Sequence, residues 1–137
     1  AARVTAVPGA SAVYAGGVVS YATEVKVAVL GVPADLVAAH GVVSAECAQA
    51  MAEGVRALLG TTYGVSTTGV AGPDTQDGQP VGTVFVAVIL DDETRVRMFQ
   101  FIGGRDMVKF QAAQAALNMT RLAVMKIQGP REWAERR

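Results

Sequence analysis

Hydrophobic and polar residues alternate along the chain at changing periods, and the changes mark its elements. Residues 1–7 read as the last turns of a helix, stopped by Pro8-Gly9. Residues 13–21, Val-Tyr-Ala-Gly-Gly-Val-Val-Ser-Tyr, form a nearly continuous apolar run that predicts a strand buried on both faces. Thr23 is a good N-cap for a short helix over 24–30, closed by Gly31. Pro33 and Asp35 start another, ending at His40-Gly41. Ser44 caps the clearest helix, 45–59, where Cys47, Met51, Val55 and Leu58/Leu59 share one apolar face. Glu46 in its first turn suits the helix dipole, and Gly60 ends it.

Residues 63–67 predict a second strand, and residues 68–82 a long loop. Residues 83–90 read as a buried strand, Asp91-Asp92 as a turn, and 95–101 as an alternating strand that completes a hairpin. Gly103-Gly104 leads into a long helix over 105–125, with an apolar stripe of Met107, Phe110, Ala113, Leu117 and Val124. The tail 129–137 is polar apart from Trp133, a candidate anchor. Strands that alternate with helices and then form a hairpin predict an α/β fold, a mixed sheet with helices on both faces.

Composition narrows the function classes. At 137 residues the chain is one domain, and 51% hydrophobic against 18% charged residues excludes intrinsic disorder. Twelve Lys+Arg balance twelve Asp+Glu, which argues against nucleic acid or an anionic membrane as the main partner. The single cysteine, Cys47, and the single histidine, His40, leave no material for a multi-cysteine metal site, and no metal is expected. No apolar run reaches the roughly 18 residues of a membrane span. No signal peptide is evident, so a cytoplasmic protein is expected.

Three places could carry chemistry. In Ser20-Tyr21-Ala22-Thr23-Glu24-Val25-Lys26 a strand end runs into a helix start, and a lysine near that positive end is pushed towards the neutral amine, a possible general base. A solvated surface lysine is the alternative. In Ser66-Thr67-Thr68-Gly69-Val70-Ala71-Gly72-Pro73, hydroxyls and glycines let backbone N–H groups cradle an anion, or merely let a strand turn. Gly103-Gly104-Arg105-Asp106 opens the last helix, where Arg105 either clamps a phosphate or pairs with Asp106 or solvent. Cys47, on an apolar helix face, reads as a buried, inert thiol.

Gly16-Gly17-Val18-Val19-Ser20-Tyr21 followed by Glu24-Val25-Lys26 resembles the CinA C-terminal domain family, as do Thr68-Gly69-Val70-Ala71-Gly72-Pro73 and Pro80-Val81-Gly82-Thr83-Val84. The resemblance runs from residue 1 to about 124. It implies a three-layer α/β/α sandwich with a mixed central sheet, forming a single domain over 1–137 that lacks its first strand and most of its first helix. The implied activity is hydrolysis of the carboxamide of nicotinamide mononucleotide to nicotinate mononucleotide and ammonia, with no cofactor. Lys26 and Tyr21 match the family's catalytic lysine and tyrosine. Thr68 and the glycine loop with Gly69 and Gly72 match the substrate-binding turn, and Ser66 and Thr67 beside them are expected to bind substrate. Arg105 falls where members carry a Gly-Asp-Arg arginine, although this chain reads Gly-Gly-Arg; Thr23 stands where many members have asparagine.

The family's nucleophile sits in a Ser-x-Glu-Ser-Cys-Thr-Gly-Gly-like motif, and none of Ser11, Ser20, Ser44 or Ser66 lies in one. Together with a start at Ala1-Ala2-Arg3 rather than methionine, this implies a fragment, or a version without its nucleophile. The expected partners are a small-molecule nucleotide and further copies of the chain in a homo-oligomer. The alternative function is a non-catalytic nucleotide-binding or assembly module of the same fold. A weaker third is an interaction protein of competence or DNA damage.

Overall fold

A computed structural model describes residues 1–90 and 93–126. The Asp91-Asp92 turn and the tail with Trp133 lie outside the described residues. The elements are α1 (Ala2–Thr5), a 3₁₀ turn (Ala10–Ala12), α2 (Thr23–Leu30), α3 (Ala34–His40), α4 (Ala45–Leu59), β1 (Tyr63–Gly69), β2 (Thr83–Leu90), β3 (Glu93–Gln100) and α5 (Arg105–Val124).

β2 is the centre of the sheet. Its eight residues, Thr-Val-Phe-Val-Ala-Val-Ile-Leu, are almost all buried, as a strand covered on both faces must be. β1 and β3 flank it in the order β1-β2-β3, both antiparallel, with Val65 opposite Val88 and Val96 opposite Ala87. On one face Val84, Val86, Val88 and Leu90 pack against Val108, Ala112, Ala116, Met119 and Ala123 of α5. On the other, Ala87 and Ile89 meet Ala48 and Ala52 of α4. Leu30, Val32, Val42, Val43, Cys47, Met51 and Val70 join α2, α3 and α4 outside that layer. The α/β class and the helix–sheet–helix layering follow from this arrangement. No helix among the described residues is long and apolar enough to cross a membrane.

Local chemistry explains the element ends. The Ser44 hydroxyl accepts from the Cys47 N–H at 3.1 Å, the cap expected for α4. α2 starts at Thr23 rather than after it, with Ala22 as the N-cap and no side-chain cap, so Lys26 is the fourth helical residue.

Three further expectations are corrected. Residues 13–21 form no strand: side chains alternate between covered and exposed from Tyr14 to Ser20, but the backbone joins no ladder. The run is therefore extended and covered on one side only. For that reason the described sheet is wholly antiparallel and not mixed. The apolar stripe assigned to α5 is also displaced: Met107, Phe110, Leu117 and Val124 stay exposed, while the buried stripe is Val108, Ala112, Ala116, Met119 and Ala123. Small side chains let α5 approach β2 closely, and packing distance overrides residue size.

Candidate active-site cleft

β1 presents two different faces. Gly64, Ser66 and Thr68 point to α4 and are buried, while Tyr63, Val65, Thr67 and Gly69 point to the α5 side and stay open. α5 covers β2 but reaches β1 only in part. Between β1, α5 and the extended residues 13–21 lies a cleft of about 1650 Å³.

Lys26 enters the cleft from α2. Helical side chains lean towards the N-terminus, so its amine passes the start of α2. Nζ donates to Ser20 O at 2.7 Å and to Tyr21 O at 3.4 Å. The residue is only 7% exposed, which sets aside the solvated surface lysine. Tyr21, 81% exposed, turns its phenol to the cleft mouth. There its oxygen accepts from Arg105 Nη2 at 3.2 Å, and Arg105 Nη1 donates to Gly72 O at 2.8 Å. One guanidinium thus ties the strand-end tyrosine to the glycine loop. It is the first helical residue of α5, whose N-cap Gly104 offers no side chain, so the first N–H groups of that helix are open.

The hydroxyls of the 66–68 segment divide. Ser66 Oγ donates to Ala48 O at 2.5 Å and Thr68 Oγ1 to Val42 O at 2.6 Å, binding β1 to α4 and to the turn before it. Thr67 stands on the open face. Gly69 and Gly72 line the cleft; a Cβ on Gly69 would meet Thr83 O at 2.6 Å.

Sequence reasoning missed Asp77. Its Oδ2 accepts from Val42 N–H at 2.7 Å and Val43 N–H at 3.2 Å, joining the long loop to the turn before α4. The only signal was Asp77-Gly78, a common turn pair. Cys47 is buried, and burial pushes its thiol above the ordinary 9.0; Asp77 adds to the rise and Lys26 opposes it. His40 ends α3 with Nδ1 3.7 Å from Glu46 Oε1, and both side chains are half exposed.

The model of the CinA C-terminal domain matches residues 1–124. A "CinA-like protein" of Frankia casuarinae is 50% identical over 121 residues, which are 88% of this chain and 28% of that protein. Another "CinA-like protein", from Anaeromyxobacter sp. (strain K), is 52% identical over 122 residues, 88% of this chain and 30% of that one. The chain thus spans under a third of these relatives' length. The crystal structure of the competence damage-inducible protein A from Klebsiella pneumoniae superposes with a TM-score of 0.87 at 34% identity, covering 93% of this chain and 80% of that one.

Proposed function

The chain belongs to the CinA C-terminal domain family, and we propose that it carries the lysine, tyrosine and arginine of an amidase site for nicotinamide mononucleotide. The reaction consumes water and gives nicotinate mononucleotide and ammonia. The observation that carries the reading is the Arg105 bridge between Tyr21 Oη and Gly72 O, at the mouth of the cleft that Lys26 enters. In this reading a serine from outside these residues attacks the carboxamide carbon and Lys26 takes its proton. N–H groups of the loop near Gly69 hold the oxyanion. Tyr21 positions the lysine or donates a proton to the leaving ammonia, and water then releases the acid. Thr67 lines the open face of β1, whereas Ser66 and Thr68 hold the strand in place. The open N-terminus of α5 and Arg105 receive the phosphate. The reading places the protein in the cytoplasm and assembles it as a homo-oligomer.

One observation favours a second reading, a nucleotide-binding or assembly module without turnover: the hydroxyls of Ser44 and Ser66 already donate to backbone carbonyls. Ammonia release from nicotinamide mononucleotide by the intact protein separates the two. In the same assay Arg105→Ala raises KM for the nucleotide about ten- to a hundredfold, as expected for a lost phosphate pair, and narrows its preference over the phosphate-free riboside. No ammonia from the intact protein overturns the amidase reading. Unchanged nucleotide preference makes Arg105 structural.

A further inference from the structure

Among the bonds that hold the loop between β1 and β2, three ties bear on the cleft. At the loop's base Val70 N–H donates to Thr83 O and Gly82 N–H to Val70 O, each at 2.8 Å. On its first limb Gly72 O accepts from Arg105. On its far limb the Asp77 carboxylate reaches 35 residues back along the chain to the Val42 N–H.

Two features show that this third tie is built into the fold. Asp77 has a φ of 51°, a left-handed conformation that disfavours side chains other than Asn and Asp. Gly41 leaves the room it needs: a Cβ there would meet Asp77 Oδ2 at 2.8 Å. The turn that receives Asp77 is also held from β1, because Val42 O accepts from Thr68 Oγ1 at 2.6 Å. Asp77 from the loop and Thr68 from the strand therefore grip one residue, Val42, by its N–H and by its carbonyl.

Resting on the amidase reading, we propose that Asp77 is a positioning residue of this site. It presses the 70–82 loop onto the turn before α4. It thereby sets where Gly72 O, and the Arg105 guanidinium bound to it, stand against the substrate. Both N–H groups are received by the same oxygen, Oδ2. One acceptor atom in that place is enough, and the second oxygen of the carboxylate is not needed for the tie.

The test uses the intact protein, with Asp77→Gly and Asp77→Asn beside the wild type. Glycine frees the backbone at positive φ and removes the acceptor; asparagine keeps one acceptor oxygen and tolerates the same φ. In Asp77→Gly the amides of Val42 and Val43 lose protection from hydrogen exchange. Its KM for nicotinamide mononucleotide rises about tenfold or more, the size of a lost bond to a charged acceptor, with kcat much less affected. Asp77→Asn keeps the protection and stays within about fivefold of wild-type KM, as for a neutral bond replacing a charged one. Unchanged protection or unchanged KM in Asp77→Gly overturns the proposal. So does an asparagine variant as impaired as the glycine one, since charge and not position would then matter. A wild type that releases no ammonia sinks the amidase reading; exchange at Val42 and Val43 needs no substrate, and the proposed tie then stands or falls on it.

Discussion

A buried lysine is tolerated only where its hydrogens find acceptors. Lys26 meets that condition with the carbonyls of Ser20 and Tyr21. These acceptors hold its amine at one end of the cleft. In the intact protein Lys26→Ala lowers kcat about a hundredfold or more, the usual size of a general-base effect. Lys26→Arg is nearly as damaging: its planar head does not fit where a compact amine sits 2.7 Å from Ser20 O, and it cannot take up a proton. Lys26→Met, with the apolar stem kept, gives a folded and inactive control by circular dichroism. An arginine variant with near wild-type turnover removes Lys26 from the mechanism. At this scale the sequence pointed to the residues but not to their orientation. Tyr21, Gly72 and Arg105 were each singled out on local grounds, and they are hydrogen-bonded together. Ser66 and Thr68 turn away from Thr67 because strand residues alternate faces, and only the position of α4 decides which face is covered. Asp77 escaped notice because its partners are remote in the chain.

Elements with their own stop signals were legible almost to the residue. α4 runs over Ala45–Leu59, between the cap Ser44 and the terminal Gly60 that predict it, and β2 spans the predicted residues 83–90. The extended run 13–21 was not legible as an unpaired segment, because apolar content reports burial but not a ladder partner. α5 misled for another reason: its larger apolar side chains lie off the packed face, and alanines do the packing. Close packing also governs the seat of α4 on β1. A Cβ on Gly64 would lie 2.2 Å from Ala52 O and 2.9 Å from Arg56 Cβ. Neither the strand nor the helix backbone can yield without disturbing the other, so Gly64→Ala destabilises the fold by about 1–3 kcal/mol, the usual cost of overpacking. Thermal or denaturant unfolding reads this directly. A variant as stable as the wild type would show that α4 has slack over β1. Because Ser66 and Ala48 are bonded across the same seam, the variant also loosens the strand that leads into the glycine loop.

The described residues form three layers around one central strand; helices on both faces of a sheet were legible in the order of the elements, the central place of β2 was not. The open side is the cleft, where β1 keeps Tyr63, Val65 and Thr67 uncovered. Within it a lysine, a tyrosine and an arginine gather; Ser11, Ser20 and Ser66 line the same cleft, but the Lys26 amine bonds backbone carbonyls and none of their hydroxyls. Ser44 Oγ donates to Gly41 O and Ser66 Oγ to Ala48 O; Ser20 is buried and gives its carbonyl to Lys26; Ser11 sits in the 3₁₀ turn. In the proposed chemistry the nucleophile comes to Lys26 from outside these residues. The 137-residue chain by itself, purified, verified by mass and shown to be folded by circular dichroism, therefore releases no measurable ammonia from nicotinamide mononucleotide. A longer polypeptide that places a Ser-x-Glu-Ser-type motif before Ala1 does release it, and changing that serine to alanine abolishes the release. Robust turnover by the 137-residue chain would put the nucleophile among its own hydroxyls, with Thr67 on the open face of β1 the first to be replaced, and would overturn the division of roles proposed for Lys26, Tyr21 and an external serine.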